Sequence, residues 1–407
     1  MTKLRLLKVK SLKEGRGLLV ELMRDLGLNK TEEVLLEDSL GRILAQEIVA
    51  REDIPSFNRS SVDGFALKSS NTQGASDSLP TVLTVIEDIA MGAVPTKVVG
   101  AGQASRLMTG GMLPEGADAM VMIENTEIMG ELLAVYKPAR AFDHVVEIGE
   151  DSPKGQLYFS PGTRVSPRVV ASLASLGYDR VRVYRRPSLY IVSTGDELLD
   201  LGEELVPGKT RDVNGFSVEA LAQDLGFEVL GKTRVADDRQ ELTEALAYEA
   251  DFIMVSGSSS QGDRDYLASI VSKMEPGLLF HGLSIKPGKP TILASDGKKV
   301  ILGLPGHPVS SFIVFMALVE EAFRDYYGMG DKLFVEARLS HNMAATPGRT
   351  LYQPVELDYK DGELWARPIF GASGSLSVLA RAQGYFILED REEGVVGQDL
   401  VQVYPLD

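Results

Sequence analysis

The sequence predicts a multidomain protein of the α/β plus β class, built around a doubly wound α/β domain. Its 407 residues correspond to about two to four domains. Over residues 186–330, apolar strands alternate with amphipathic helices, a pattern typical of a parallel, three-layer sheet. Over 48–145 and 331–407, short β-type segments are separated by Gly and Pro, which predicts two small β domains.

The composition excludes several classes of protein. The net charge of -16 opposes nucleic-acid binding, which needs a basic surface. The chain has no Cys, so disulfides and thiolate chemistry are excluded, and this composition fits the cytoplasm. No secretory apolar region follows the N-terminus, and the longest apolar stretch, 311–319, is too short to span a bilayer. We therefore expect a cytoplasmic protein with neither nucleic acid nor membrane as a partner.

The inserted position of the first β domain makes the N-terminal domain discontinuous. The predicted domains are a helical linker domain (1–47 and 146–185), an inserted β domain (48–145), an α/β domain (186–330) and a C-terminal β domain (331–407). Ser11 and Glu14 form a capping box that starts the first helix, and a second helix is predicted over 36–45. Ser166, followed by Pro167, starts a third helix.

Local signals define the elements of the α/β domain. Asn214 is predicted to cap one helix and Asp238 the next. The dipeptide Asp296-Gly297 predicts a hairpin between two short strands, 291–294 and 300–304. The last helix is predicted to begin at Pro308 and to end near residue 327.

The stretch 251–266 carries the strongest signal for a ligand site. An apolar strand, 252–255, leads into the Ser/Gly loop 256–262, and Asp263 and Asp265 follow at a helix start. Small residues let backbone N–H groups approach an anion closely, and carboxylates can hold a hard divalent cation. In an open α/β sheet, ligands bind at the loops that follow the strands.

Other loops that follow strands repeat this chemistry. They contain the segments Thr194-Gly195-Asp196-Glu197, 211–214, Asp237-Asp238, 286–290 and 304–308. Any one of them could be an ordinary connector. Because loops after parallel strands lie along one edge of the sheet, we expect their carboxylates, glycines and two lysines to converge there. A binding site is therefore a better interpretation than a set of unrelated connectors.

Five motifs, in their order along the chain, resemble those of one protein family. They are 53–66, similar to D-x-P-x-F-x-x-S-x-M-D-G-Y-A; 106–118, similar to R-I-x-T-G-A-x-x-P-x-G-A-D; 193–198, S-T-G-D-E-L; 286–290, K-P-G-K-P; and 304–310, L-P-G-H-P-V-S. Over nearly its whole length the chain resembles the molybdopterin molybdenumtransferases, which include MoeA and the gephyrin E domain. The α/β domain is then of the molybdenum cofactor biosynthesis type, and the C-terminal domain is β-barrel-like.

The resemblance also implies an activity and partners. Proteins of this family insert molybdate into adenylated molybdopterin with Mg²⁺ and release AMP, which yields molybdenum cofactor. The resemblance implies a homodimer, with a molybdopterin adenylyltransferase and proteins of molybdoenzyme maturation as further partners. The active cleft would lie between the α/β edge of one subunit and the inserted domain of the other.

The resemblance assigns roles to individual residues. A magnesium ion would be held by Asp265, with Asp196 and Asp237 as further candidate ligands. The expected catalytic residues are Asp63 and Thr109, from the second subunit, together with Asp265. The expected substrate- and nucleotide-binding residues are Thr194, Gly195, Asp196, Ser256, Gly257, Gly262, Lys286, Lys289, Pro305, Pro308 and Arg349. Each also has a purely structural interpretation; for example, Asp63 could only shape a turn.

The sequence departs from the family pattern at several positions. Ser258 and Ser259 replace Gly and Val, His144 and Val146 replace Asn and Arg, His307 replaces the Asn of L-P-G-N-P, and Gln383 replaces a further Asn. These departures leave open a second interpretation, a member of the family that binds a pterin, a nucleotide or a partner protein without turnover. The sequence also does not distinguish molybdate from tungstate as the oxyanion, nor which molybdoenzyme is served.

Overall fold

The computed structural model describes residues 9–257 and 266–406. The chain divides into two compact units. One consists of Glu47–Ser160 and Ala171–Asp179, and the other contains the remaining residues. Within the described ranges, no helix is long and apolar enough to cross a membrane.

The chain begins with helix α1 (Leu12–Asp25) and strand β1 (Thr31–Leu35), followed by a 3₁₀ turn (Leu36–Asp38). The predicted capping box is confirmed, since the Ser11 hydroxyl accepts a hydrogen bond from the Glu14 N–H at 3.2 Å. The helix predicted over 36–45 is wrong. Leu44 is fully buried in extended backbone, where it bridges to Val183. Pairing with a distant segment therefore overrides the helical spacing of the leucines.

The region of the predicted inserted domain, 48–145, and the residues that follow it up to 159 form short strands and 3₁₀ turns, with no α-helix. The strands are β2 (Ile48–Val49), β3 (Arg59–Ser60), β4 (Gly64–Leu67), β5 (Thr81–Ile89), β6 (Gln103–Leu107), β7 (Ala119–Met122), β8 (Thr126–Met129), β9 (Leu132–Val135), β10 (Val145–Val146) and β11 (Leu157–Phe159), with 3₁₀ turns at Ser69–Thr72 and Ile123–Asn125. Six strands form one sheet in the order β7-β4-β6-β5-β9-β8. Strand β4 is buried along its length because Phe65 and Leu67 enter one core and Ala66 enters another.

After helix α2 (Pro167–Ser175), the chain forms the α/β domain. Its elements are β12 (Arg180–Tyr184), β13 (Ser188–Thr194), β14 (Leu198–Leu199), β15 (Thr210–Arg211), α3 (Asn214–Leu225), β16 (Glu228–Val235), α4 (Arg239–Leu246), β17 (Phe252–Ser256), α5 (Tyr266–Val271), β18 (Gly277–His281), β19 (Ile285–Lys286), β20 (Ile292–Ser295), β21 (Val300–Leu304), α6 (Pro308–Val314), a π-helical segment (Phe315–Glu320) and α7 (Glu321–Tyr327). Strand β12 pairs antiparallel with β1.

The central sheet has the strand order β16-β13-β17-β21-β20-β18. The first four strands are parallel, and the predicted hairpin β20–β21 is confirmed. Strand β20 runs antiparallel to both of its neighbours, β21 and β18. The sheet is therefore mixed rather than wholly parallel. Phe252 and Met254 of β17 pack into one core and Ile253 into the other. Because both faces of the sheet are covered, the three-layer prediction is confirmed.

The C-terminal domain is a closed barrel. Its elements are β22 (Val335–Leu339), β23 (Met343–Ala344), β24 (Thr350–Lys360), β25 (Glu363–Pro368), α8 (Leu376–Arg381), β26 (Gly384–Leu388), β27 (Gly394–Val395) and β28 (Leu400–Pro405). Strands β24, β25, β22, β28 and β26 pair in this order, and β26 pairs back to β24. Strand β19 of the α/β domain also pairs with β24, in parallel, so that Lys286 lies opposite Leu351.

Candidate active site at the carboxyl edge of the α/β sheet

Three neighbouring parallel strands end at the same level of the sheet. In the register of β13, β17 and β21, Ser193 lies opposite Ser256, and Ser256 lies opposite Leu304. The loops that begin at Thr194, at Gly257 and after Leu304 therefore leave one edge together. This placement confirms that parallel strands bring these loops to a common site, as expected for an open α/β sheet.

The loop after β17 lies tightly against the end of β13. Gly257 has a φ of +103°, and a Cβ added there would lie 2.2 Å from the Thr194 carbonyl oxygen. The Thr194 hydroxyl lies 3.4 Å from the Ser256 carbonyl oxygen, to which it donates. Only glycine combines this conformation with this approach. Thr194, Ser256 and Gly257 thus form one close-packed wall at the sheet edge.

Asn214 joins three of the elements at this edge. Its Nδ2 donates hydrogen bonds to the Ser256 hydroxyl at 2.7 Å and to the Gly306 carbonyl oxygen at 2.8 Å. The side chain is buried, and Val213, not Asn214, occupies the cap position of α3. The prediction of Asn214 as a helix cap was therefore wrong. The polar side chain bridges two loops, a role that a helix-start pattern does not signal.

A cavity of about 400 Å³ opens beside these loops. It is lined by Gly257, 285–290, Pro305, Gly306, His307, Ser310, Arg349 and Ser373. Its charged lining side chains, within the described ranges, are Lys286, Lys289 and Arg349. Lys286 also donates to the Thr346 hydroxyl at 3.1 Å. Since the protein carries a net negative charge, this group of cations creates a local site suited to an anion.

The C-terminal domain contributes Arg349 to the cavity, as expected, and also Ser373, which the sequence did not reveal. His307 Nδ1 lies 2.6 Å from the Ser373 hydroxyl oxygen. The Ser373 carbonyl oxygen accepts a hydrogen bond from the Val309 N–H at 3.1 Å. Pro305 is buried and lines the cavity. Pro308 is the first residue of α6, as the sequence predicted.

The predicted acidic residues are partly brought together. The Asp237 N–H donates to Asp196 Oδ1 at 3.1 Å, and Lys209 Nζ donates to the Asp196 carbonyl oxygen at 2.6 Å. Asp196 and Gly195 directly follow β13, and Asp237 follows β16. The residues Gly262, Asp265, Ser258 and Ser259 lie outside the described ranges. Within those ranges, no group of three His, Asp or Glu side chains is arranged to hold a metal.

In the inserted domain, Asp63 and Thr109 form a compact pair. Asp63 Oδ1 accepts hydrogen bonds from the Thr109 N–H and from the Thr109 hydroxyl, both at 2.8 Å. The Thr109 N–H and then its hydroxyl lower the pKa of Asp63, because both donors stabilise the carboxylate form. The carboxylate is exposed and is therefore open to a ligand.

Comparisons with known proteins agree with this architecture. The sequence matches the families described as the MoeA N-terminal region (domain I and II) over residues 10–177, a probable molybdopterin binding domain over 190–325, and the MoeA C-terminal region (domain IV) over 336–406. The molybdopterin molybdenumtransferase of Bacillus subtilis is 34% identical over 385 residues, covering 92% of this chain and 89% of the relative. The chain belongs to the molybdopterin molybdenumtransferase (MoeA) family.

Two further relatives extend this result. The molybdopterin molybdenumtransferase of Staphylococcus aureus Mu50 is 38% identical over 299 residues, 72% of this chain and 71% of the relative. The crystal structure of a molybdopterin biosynthesis MoeA protein from Pyrococcus horikosii matches with a TM-score of 0.81 and 31% identity, covering 98% of this chain and 100% of that chain. The family resemblance read from the motifs is thus confirmed.

The structure accommodates two of the departures from the expected family pattern, at His144 and Val146. His144 has a φ of +59°, in the left-handed region where Asn and His are both enriched among non-glycine residues. Replacement of the family's Asn there keeps the backbone conformation accessible. Val146 lies in β10, opposite Arg59 of β3, where a β-branched residue suits the strand.

Proposed function

We propose that this chain inserts molybdate into adenylated molybdopterin and releases AMP, as the names of its MoeA relatives suggest. One observation carries the proposal: the cavity at the carboxyl edge of the sheet is lined by Lys286, Lys289 and Arg349. Phosphoanhydride and molybdate are both anionic oxygen ligands, and each needs such a cationic site. We also propose that the protein acts in the cytoplasm.

In this proposal, the three cations bind phosphate oxygens of the substrate. As the bond between AMP and molybdopterin breaks, negative charge grows on the departing phosphate, and fixed positive side chains stabilise it. Thr194, Ser256 and the closely packed Gly257 provide a rigid wall against which the nucleotide is oriented. We assign Gly195, Pro305 and Pro308 to the same wall; Gly262 lies outside the described ranges and stays an expectation from the sequence.

Magnesium is part of the proposal. Asp196 and Asp237 carry the carboxylate oxygens that Mg²⁺ prefers and already contact each other through the Asp237 N–H. With Asp265 they would hold the ion, which when bound neutralises charge on the phosphate oxygens. Mg²⁺ titration by calorimetry, compared between wild type and an Asp196→Asn variant, would test this ligand set.

The proposal further includes a homodimer whose active sites are shared. Asp63 and Thr109 of a second copy would act on the substrate held by Lys286 of the first. We expect Asp63→Ala and Lys286→Gln to be inactive separately, and a mixture refolded together to recover about a quarter of the wild-type activity. No recovery, although mixed dimers form, would argue against a shared site. A molybdopterin adenylyltransferase would supply the substrate, and a molybdoenzyme maturation protein would accept the product.

The reaction itself is tested by release of AMP from adenylated molybdopterin. We expect release to require molybdate and Mg²⁺, and to be lost in Asp265→Ala. The control is Lys298→Gln, which alters an exposed lysine of the β20–β21 hairpin away from the cavity lining. No release by the wild type, where a MoeA relative is active, would refute the proposal. Competition between molybdate and tungstate in the same assay identifies the preferred oxyanion.

A second candidate function is binding without turnover. It is favoured by the departures at Ser258, Ser259 and His307 from the family's residues. In that case, calorimetry would detect tight binding of adenylated molybdopterin while the release assay stays silent. A chain that both binds and releases AMP excludes this alternative.

A further inference from the structure

His307 lies in the segment 304–308, L-P-G-H-P, where the resemblance leads one to expect asparagine. Its side chain is exposed, and it lines the cavity together with Lys286, Lys289 and Arg349. It directly precedes α6 and follows Gly306, whose carbonyl oxygen is held by Asn214. The residue that departs from the family therefore lies on the cationic wall itself.

Within the described ranges, one ring nitrogen of His307 has a hydrogen-bond partner. Nδ1 lies 2.6 Å from the Ser373 hydroxyl, and the backbone bond from Val309 to Ser373 fixes the loop that carries this serine. No other hydrogen bond to the His307 ring is present among residues 9–257 and 266–406. The nitrogen that is left to bind a ligand is Nε2.

The contact with Ser373 orients the ring and is compatible with both neutral tautomers. When the serine hydroxyl donates to Nδ1, the ring carries its proton on Nε2. When Nδ1–H donates to the serine oxygen instead, Nε2 is an acceptor. An anionic oxygen only accepts hydrogen bonds, so a bound anion selects the tautomer with the proton on Nε2.

We propose that His307 contacts the substrate, with Nε2–H donating to an oxygen of a tetrahedral oxyanion, either the nucleotide phosphate or molybdate. Ser373 is the positioning residue that orients the ring, and its hydroxyl donates to Nδ1 when the anion is bound. The identity of the ligand rests on the proposed function, but the contact itself does not require turnover. The charged side chains that share this wall in the described part of the chain are Lys286, Lys289 and Arg349, all cations. His307 thus adds a hydrogen-bond donor to this cationic wall.

Calorimetry on the full chain, with AMP and molybdate as separate probes, tests the contact. We expect His307→Ala to weaken binding of at least one probe about tenfold, the size of one hydrogen bond to a charged group. We expect His307→Asn, whose amide keeps a hydrogen-bond donor, to bind nearly as well as the wild type. The probe that is affected identifies the oxyanion.

The matched control is His341→Asn. His341 is also exposed and also contacts a serine hydroxyl, Ser340, at 2.7 Å, but it lies in the barrel sequence outside the cavity lining. We expect this variant to bind both probes like the wild type. Equal binding by the wild type, His307→Ala and His341→Asn would overturn the proposal.

Nitrogen-15 NMR of the imidazole rings gives a readout that a merely structural role would not change. With only four histidines in the chain, the His307→Asn spectrum assigns the His307 signals. We expect binding of the probe to shift the Nε2 signal to that of a protonated ring nitrogen, and this shift to be weaker in Ser373→Ala. Unchanged His307 signals on saturation would refute the contact. A wild type that shows these shifts but releases no AMP would instead refute the proposed reaction alone.

Discussion

Replacement of Asn214 by Ala tests whether a single amide holds the active-site loops together. The variant removes the hydrogen bonds to the Ser256 hydroxyl and the Gly306 carbonyl oxygen, and a longer one to the Pro305 carbonyl oxygen at 3.5 Å. Ser256 is 4% exposed, so its hydroxyl loses a partner where water does not replace it. Gly306 is exposed, so its carbonyl oxygen can bind water instead. We therefore expect a local loss of about 2 kcal/mol, mostly from the serine.

Hydrogen exchange monitored by mass spectrometry measures this local stability directly. A loss of about 2 kcal/mol corresponds to exchange about thirtyfold faster in segments 252–257 and 304–308. The barrel strands should exchange as in the wild type. The control is Asn342→Ala, which removes a surface hydrogen bond to the Gly397 N–H at 2.6 Å. Exchange rates in the two segments equal to those of the wild type would show that Asn214 does not carry the link.

Three other variants test separate parts of the site. Thr109→Val removes the hydroxyl that donates to Asp63, so the pKa of Asp63 should rise. The acidic limb of the pH–activity profile should then move to higher pH. An unchanged limb would show that Asp63 takes no part in the reaction. Gly257→Ala places a Cβ against the Thr194 carbonyl oxygen. We expect the free energy of unfolding, measured by scanning calorimetry, to fall by about 3 kcal/mol and AMP binding, measured by titration calorimetry, to be lost. A variant as stable as the wild type would contradict the close approach. Lys286→Gln should weaken AMP binding about tenfold and reduce its salt dependence, and an unchanged affinity would remove this lysine from the anion site.

Most of the α/β domain could be predicted because its signals are local. Asp238 accepts from two N–H groups at the start of α4, as its position in the sequence predicted. The failures have the opposite cause. The segment 36–45 has helical spacing, yet its Leu44 is buried through a bridge to Val183. Ser373 reaches His307 from a distant loop, and a single sequence carries no signal for such a contact.

The parallel pairing of β19 with β24 means that a residue of the cavity encoded in the α/β domain is held in place by the C-terminal barrel. The strand that ends in Lys286 finds its partner in the barrel, and the Thr350 N–H bonds to the Ser284 carbonyl oxygen at 3.0 Å. A truncation after residue 330 would therefore strip the backbone support from a lysine that it leaves in place. Exchange of barrels between relatives would have to transfer 284–286 as well. The backbone position of Lys286 thus depends on residues on both sides of α6 and α7.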